Sequence, residues 1–161
     1  HMLALGGVAR DEEEGRERAE EAIATGKAWE KFEALVMAQG GDLNFVREPE
    51  RLPKASKVVT VDAPQSGYLK GIHARIVGET AVLLGAGREK KGQPIDHGVG
   101  IEILHNVGDR VAEGHPLFVI HANSEDKLEE ARRQLLDAHT WSEEPVEPLP
   151  LFYEVIRSEE A

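Results

Sequence analysis

The spacing of apolar residues over the first 42 positions predicts helices. Apolar side chains recur every three or four residues over 11–25 and again over 27–39, where Trp29, Phe32 and Val36 fall on one face. Glycines follow both segments and stop them. Two short helices with one-sided apolar stripes do not make a core, so we expect them to need a partner surface.

The first residues of the chain predict a helix end followed by a new helix start. Residues 3–7 run from apolar side chains into a glycine pair, which is typical of a helix C-terminus. Asp11, with Glu14 three residues later, is typical of an N-cap. His1 and Met2 look like a scar left after tag removal, and we exclude them from the fold prediction. From these features we expect a longer polypeptide to precede residue 3.

The pattern changes after residue 56 to an alternation of strands and helices. Residues 43–56 carry two prolines among charges and are predicted as an extended linker. Beyond them, period-two alternation predicts strands and helical spacing predicts two helices. The order β-β-α-β-β-α-β indicates an α+β domain over 57–161. The predicted strands are 57–63, 68–73, 99–104, 116–122 and 151–156, and the predicted helices are 74–84 and 126–138.

Composition and charge narrow the function classes. The chain has 161 residues, which suits one compact domain with a small helical appendage. Its net charge of −11 argues against nucleic acid and against anionic membrane surfaces, since both attract basic proteins. The absence of cysteine excludes disulfides and thiolate metal sites from this sequence. No run of 18 apolar residues is present, and a cytoplasmic location fits these features.

A glycine-rich segment at 85–98 is the most distinctive candidate for chemistry. It contains four glycines and is rich in basic residues, so it resembles a phosphate-binding loop. However, it follows a predicted helix, and no helix begins after it to offer its N-terminal amides. We therefore favour an ordered loop whose glycines serve backbone geometry, or a loop that borders the substrate cleft of a larger enzyme. The candidate cleft-bordering residues are Gly85, Gly87, Arg88, Lys91 and Asp96.

Histidine chemistry is the weaker candidate. His105 and His121 end two predicted strands that could be neighbours, but no third ligand stands at a useful spacing, so we expect no metal site. Asp96 and His97 are adjacent, and adjacent side chains rarely face each other, so we do not interpret them as a catalytic dyad.

Several strings of residues match one family. The longest runs from Ala81 to Arg88, Ala-Val-Leu-Leu-Gly-Ala-Gly-Arg, and is followed by Pro-Ile-Asp at 94–96 and Gly-Val-Gly-Ile at 98–101. Val-Gly-Asp-Arg-Val at 107–111 follows in turn. Together these strings resemble the C-terminal region of pyrimidine-nucleoside and thymidine phosphorylases, and the resemblance covers nearly the whole chain.

The resemblance implies a function for the parent enzyme and a different role for this chain. Such enzymes cleave the N-glycosidic bond of a pyrimidine nucleoside with inorganic phosphate, giving free base and pentose 1-phosphate, and need no other cofactor. The family's phosphate-binding segment and base-holding residues are not found in this sequence, so no catalytic residue is assigned. Residues 3–42 would be the remnant of the small helical domain through which members dimerise. Residues 57–161 would be the C-terminal domain that packs against the catalytic α/β domain, the expected partner.

A second resemblance keeps another class open. Ala63-Pro64 with Gly67, and later the Val-Gly-Asp-Arg-Val string, resemble half-motifs of biotinyl and lipoyl carrier domains, whose barrel-sandwich topology the chain is expected to share. Those domains present a modified lysine at a hairpin tip. Here the matching turn at 122–124 has no lysine, and Lys127 is predicted to lie in a helix. We therefore keep a non-catalytic interaction or carrier-like module as the alternative.

Overall fold

The computed structural model describes residues 1–88 and 90–156 of the chain. These residues fall into two units, His1–Leu52 and the part of the chain from Pro53 onward. The described residues of the first unit form only helices and turns, whereas the second unit contains both helices and strands. No helix in the described ranges is long and apolar enough to cross a membrane.

Helix ends in the first unit follow the cap signals of the sequence. The Asp11 carboxylate accepts a hydrogen bond from the Glu14 backbone N–H at 2.9 Å, as the N-cap prediction requires. The Glu14 carboxylate in turn accepts from the Arg10 backbone N–H and from the Arg10 and Arg18 guanidinium groups, which lowers the pKa of Glu14 to about 2. The helices are α1 (Met2–Leu5), α2 (Glu12–Ala24), α3 (Lys27–Ala38) and α4 (Asn44–Arg47).

The prediction of an extended linker over 43–56 is wrong for its first part. Asn44–Arg47 is a helical turn, and Pro49–Arg51 is a 3-10 turn. The Asp42 carboxylate accepts a hydrogen bond from the Asn44 N–H at 2.8 Å, and the proline supplies a helical φ at the start of the second turn. A local side-chain bond and a proline thus stabilise turns in a segment that was predicted to be extended because of its charges and prolines.

Two small antiparallel sheets and two longer helices form the second unit, so the α+β prediction is confirmed. Its elements are β1 (Lys57–Asp62), β2 (Gly67–Ile72), α5 (Ala74–Leu84), β3 (Gly100–Ile103), β4 (Arg110–Val111), β5 (Pro116–Ala122), α6 (Glu125–Ala138) and β6 (His139–Ser142). The strand orders are β1-β5-β3 and β4-β2-β6. Each sheet keeps two edge strands, so the described residues form no closed barrel.

The predicted strand order differs from the observed one in three places. The two-residue strand β4 pairs with the start of β2, and β6 follows α6 directly and pairs with the rest of β2. Neither was predicted, because two to four residues are too few to show an alternating pattern. The predicted final strand at 151–156 is wrong. Those residues have no regular secondary structure, and their apolar side chains are exposed.

The core of the second unit combines buried side chains from both sheets and from the two longer helices. Phe118 and Ile120 on the central strand β5 are completely buried, as are Ala131 and Leu135 on α6. The remaining buried members of this cluster are Val61, Ala63, Leu69, Leu84, Val99, Val111, Leu117, Ala122 and Leu128. Since β5 and α6 are both fixed by this core, the short turn that joins them is held in place as well.

A buried histidine lies at the edge of the core. The Nδ1 atom of His139 is 2.6 Å from the Leu135 carbonyl oxygen, and its ring stacks on Phe118 at 5.4 Å between centroids. This geometry places the proton of the neutral ring on Nδ1. The Nε2 atom is buried and has no hydrogen-bond partner among the described residues. Burial lowers the pKa of His139, against a smaller opposing effect from the Leu135 carbonyl, because protonation would create a buried donor without an acceptor.

We expect the stability of the second unit to fall as the pH drops below about 6.5, the ordinary pKa of histidine in an unfolded chain. The folded state keeps His139 neutral, so only the unfolded state gains a proton between that pH and the lower folded pKa. One such group changes the unfolding constant by at most about tenfold per pH unit. Urea titrations across this range should show a shallower pH dependence for His139→Gln than for the unmodified chain. Equal slopes would contradict the assignment.

Candidate functional site

The loop between α5 and β3 is closed at its base. Gly85 ends α5 with φ +119°, a left-handed conformation that favours glycine. Its carbonyl oxygen then accepts a hydrogen bond from the Asp96 backbone N–H at 3.0 Å. This hydrogen bond joins the beginning of the predicted 85–98 loop to a residue near its end.

Asp96 is the centre of the polar network in this loop. Its Oδ1 atom accepts from the Gly98 backbone N–H at 3.0 Å, and its Oδ2 atom accepts from the Asn123 side-chain amide at 2.8 Å. The Asn123 Oδ1 atom accepts from the Ser56 backbone N–H at 2.7 Å. The loop is thereby tied to the residue preceding β1 and to the turn after β5.

The charge state of Asp96 follows from these bonds. The amide of Asn123 and the N–H of Gly98 lower the pKa of Asp96, and the nearby His97 and Lys127 side chains act in the same direction. The carboxylate is therefore held ionised, with each oxygen already accepting a hydrogen bond. Such a group fixes structure, and it is poorly suited to act as a general acid near neutral pH.

An open cleft of about 360 Å³ lies beside this network. The end of α5 and the C-terminal half of the loop form one side, and the start of α6 forms the other. Its lining residues are Leu84, Gly85, Gln93, Pro94, Ile95, Asp96, Asn123, Ser124 and Lys127. Polar groups from three separate stretches of the chain therefore meet here.

The structure brings together two of the five predicted loop residues. Gly85 and Asp96 line the cleft, but Gly87, Arg88 and Lys91 do not. A Cβ on Gly87 would lie 2.6 Å from a Val82 methyl group, so this glycine permits close packing on α5. The Arg88 guanidinium Nε donates to the Gln93 carbonyl oxygen at 3.0 Å across its own loop. Lys91 is exposed.

The cleft also contains residues that the sequence analysis did not select. Asn123, Ser124 and Lys127 come from the turn after β5 and the first turn of α6. The sequence marks these residues in one way only: an Asn-Ser pair between a strand and a helix is typical of the N-terminal cap of that helix. The sequence gives no sign that this turn packs beside a loop about 30 residues earlier.

Two further features bear on the chemistry near this site, namely the charge at the start of α6 and the positions of two histidines. The first turn of α6 carries Glu125 and Asp126, which oppose an anion at that helix end. His105 lies two residues after β3, and His121 is the penultimate residue of β5. These two strands are neighbours, as predicted, but they pair antiparallel, so the two histidines lie at opposite ends of the pair. His105 contacts the Pro116 carbonyl, whereas His121 lies opposite Gly100. No group of three or more potential metal ligands is found within the described ranges.

Comparisons with known proteins relate most of this chain to one family of enzymes. Residues 68–142 match the family model described as pyrimidine nucleoside phosphorylase C-terminal domain. The chain is 36% identical over 156 residues to a pyrimidine-nucleoside phosphorylase of Geobacillus stearothermophilus, covering 97% of this chain and 36% of the relative. It is 41% identical over 125 residues to the pyrimidine-nucleoside phosphorylase of Bacillus subtilis, covering 78% of this chain and 29% of the relative.

An AMP phosphorylase from Thermococcus kodakarensis is also similar, with 42% identity over 130 residues, covering 81% of this chain and 24% of the relative. The chain thus spans about a third or less of the length of these relatives. The fold and the match over residues 68–142 define an α+β domain that lies in the C-terminal part of longer proteins. The chain belongs to the pyrimidine-nucleoside phosphorylase family and corresponds to the C-terminal part of its members.

Proposed function

We propose that this chain is the structural C-terminal part of a cytoplasmic, homodimeric pyrimidine-nucleoside phosphorylase. The complete enzyme would convert a pyrimidine nucleoside and phosphate into free base and pentose 1-phosphate. The catalytic groups would belong to an α/β domain formed by polypeptide outside this chain. The observation that carries the proposal is the match to the Geobacillus stearothermophilus enzyme, which extends over 97% of the chain.

The geometry of the 85–98 loop supports a positioning role in that enzyme. The Asp96 carboxylate is satisfied by Gly98 and Asn123, and the Arg88 side chain bonds within its own loop. These polar groups are thus used to fix the loop rather than held in reserve for a substrate. We propose that the loop forms one border of the nucleoside cleft of the complete enzyme and, once fixed, stabilises its closed form.

The isolated chain is expected to be inactive as a phosphorylase. Incubation of residues 1–161 with phosphate and uridine or thymidine should release no free base above a protein-free blank. AMP should be included as a substrate, because one of the relatives is an AMP phosphorylase. The Bacillus subtilis enzyme serves as the positive control. The proposal would be overturned by turnover that scales with the concentration of the chain and that changes in a matched Asp96→Asn sample. Turnover caused by a contaminating enzyme would be equal in the two samples.

No feature of residues 1–88 and 90–156 favours the carrier-like alternative. The strand β5 runs through a turn at 123–124 directly into α6, and Lys127 is the third residue of that helix. A swinging cofactor arm needs a lysine at an exposed hairpin tip, and this turn is not such a tip. Mass spectrometry of the intact chain separates the two classes, since a biotinyl or lipoyl group would add its mass to the 17.7 kDa of the sequence.

A further inference from the structure

The segment that follows the last strand exposes a run of large apolar side chains. Residues 149–156, here called the apolar tail, contain six large apolar side chains that are more than half exposed. Leu151 is 88% exposed, Tyr153 80% and Ile156 86%. Scattered single apolar residues are normal on a protein surface, but a continuous run of this kind marks an interaction site.

The root of the apolar tail is fixed to the domain. The backbone of Val146 and Pro148 lies so close to Gly108 that a Cβ there would be 3.0 Å from the Val146 oxygen and from the Pro148 nitrogen. Gly108 has φ +97°, and its N–H donates to the Leu69 carbonyl oxygen. The tail therefore leaves the domain at a defined point.

Two prolines restrict the backbone at the start of the apolar tail. Pro148 and Pro150 fix φ and stiffen the chain where it leaves the domain. A segment whose backbone is already restricted loses less conformational entropy when it binds than a flexible one. The tail is thus suited to lie along a groove on another surface.

The charge of the chain helps to identify that surface. Glu144, Glu147 and Glu154 flank or interrupt the apolar tail, so the complementary surface is an apolar groove with a basic rim. The chain itself carries a net charge of −11, so a second copy would meet the acidic tail with like charge. Charge thus disfavours self-association through the tail.

The family match indicates which surface the apolar tail contacts. The match to the Geobacillus stearothermophilus phosphorylase covers 156 of the 161 residues, so at most five fall outside it, and the apolar tail lies within it. The tail therefore belongs to the part that corresponds to the relative and is not an added extension, while 64% of that relative lies outside the match. We propose that the apolar tail docks in an apolar groove with a basic rim on the catalytic portion of the same phosphorylase polypeptide, an inference that rests on the proposed function.

Hydrogen exchange on two proteins tests this docking. One is residues 1–161 alone, and the other is the complete product of the gene that encodes them. Amides of the apolar tail should exchange at least about tenfold more slowly in the complete product, because a docked segment must open before it exchanges. A Leu151→Ser/Tyr153→Ser double variant should lose this protection. Val58→Ser, which alters an exposed residue of β1, should keep it.

The outcomes separate this inference from the proposed function, because phosphorolysis of uridine is measured on the same complete product. An active product whose apolar tail exchanges as fast as in residues 1–161 would overturn the docking and leave the proposed function standing. A product of only 161 residues, or a longer one without activity, would overturn the proposed function. A tail that is already protected in residues 1–161, together with sedimentation as a dimer, would show a second copy as the occupant and refute the docking proposed here.

Discussion

Replacing Phe118 with alanine is expected to lower the free energy of unfolding of the second unit by about 3–5 kcal/mol. Phe118 is completely buried on β5, the central strand of its sheet, and its ring stacks on His139. Alanine would remove the apolar surface of the ring and leave a cavity in the core. Strands and helix surround that cavity, so it could collapse only by moving the sheet against the helices.

Urea unfolding followed by Trp141 fluorescence measures this change, in a Trp29→Phe background because Trp29 belongs to the first unit. Trp141 packs against the core and reports on the second unit. The matched control is Val58→Ala on β1, where the side chain is 57% exposed and the change should stay within about 0.5 kcal/mol. A loss below about 1 kcal/mol for Phe118→Ala would contradict the assigned core.

The parts of the fold that could be predicted are those in which one face of an element is buried over several turns or pleats. The helix at 74–84 and the strand at 116–122 were predicted with their observed bounds, because periodicity and flanking residues marked both ends. The two short strands β4 and β6 depend on pairing with β2, a contact that no local pattern reveals. The apolar segment 151–156 looked like a strand because apolar side chains suit either a sheet or a surface that docks elsewhere.

The sequence predicts where in the chain the candidate site lies, but it does not predict which residues contact one another there. The glycines and the family strings marked the 85–98 loop, and the ends of that loop meet as expected for an ordered element. The bond between Asp96 and Asn123, however, joins residues 27 positions apart, and the bond between Ser56 and Asn123 joins residues 67 apart. The first contact follows from the pairing of β3 with β5 and the second from the pairing of β1 with β5, so residue types and local spacing could not supply either.

Basic residues in the loop illustrate a second limit of sequence reasoning. Arg88 is a predicted cleft-bordering residue because it lies in a glycine-rich, basic loop, yet it does not line the cleft, and its guanidinium bonds to the Gln93 carbonyl of the same loop. A side chain that long can reach either a ligand or its own backbone, and the choice depends on where the chain turns next. Here the chain turns back towards Asp96, and this brings the Gln93 carbonyl within reach of the Arg88 guanidinium.

Gly98→Ala is the second change with a large expected effect, about 1–3 kcal/mol on the unfolding free energy of the second unit. A Cβ on Gly98 would lie 2.9 Å from the Lys54 carbonyl carbon and 3.2 Å from the Ala55 nitrogen. Both neighbours are backbone atoms, which cannot rotate away as a side chain can. Either the end of the loop or the segment before β1 must therefore shift, and the bond from the Gly98 N–H to Asp96 would be strained.

Gly100→Ala is the matched control for this change, because a Cβ at Gly100 meets no atom within 4 Å and its effect should remain within about 0.5 kcal/mol. Urea unfolding gives the two free energies, and hydrogen exchange over 92–98 reports whether the loop loosens. Gly98→Ala should speed exchange there and Gly100→Ala should not, since only the first disturbs the network through which Asp96 and Asn123 hold the loop. If both variants unfold at the same urea concentration and exchange at the same rate, the close approach of Gly98 to residues 54–55 does not fix the loop.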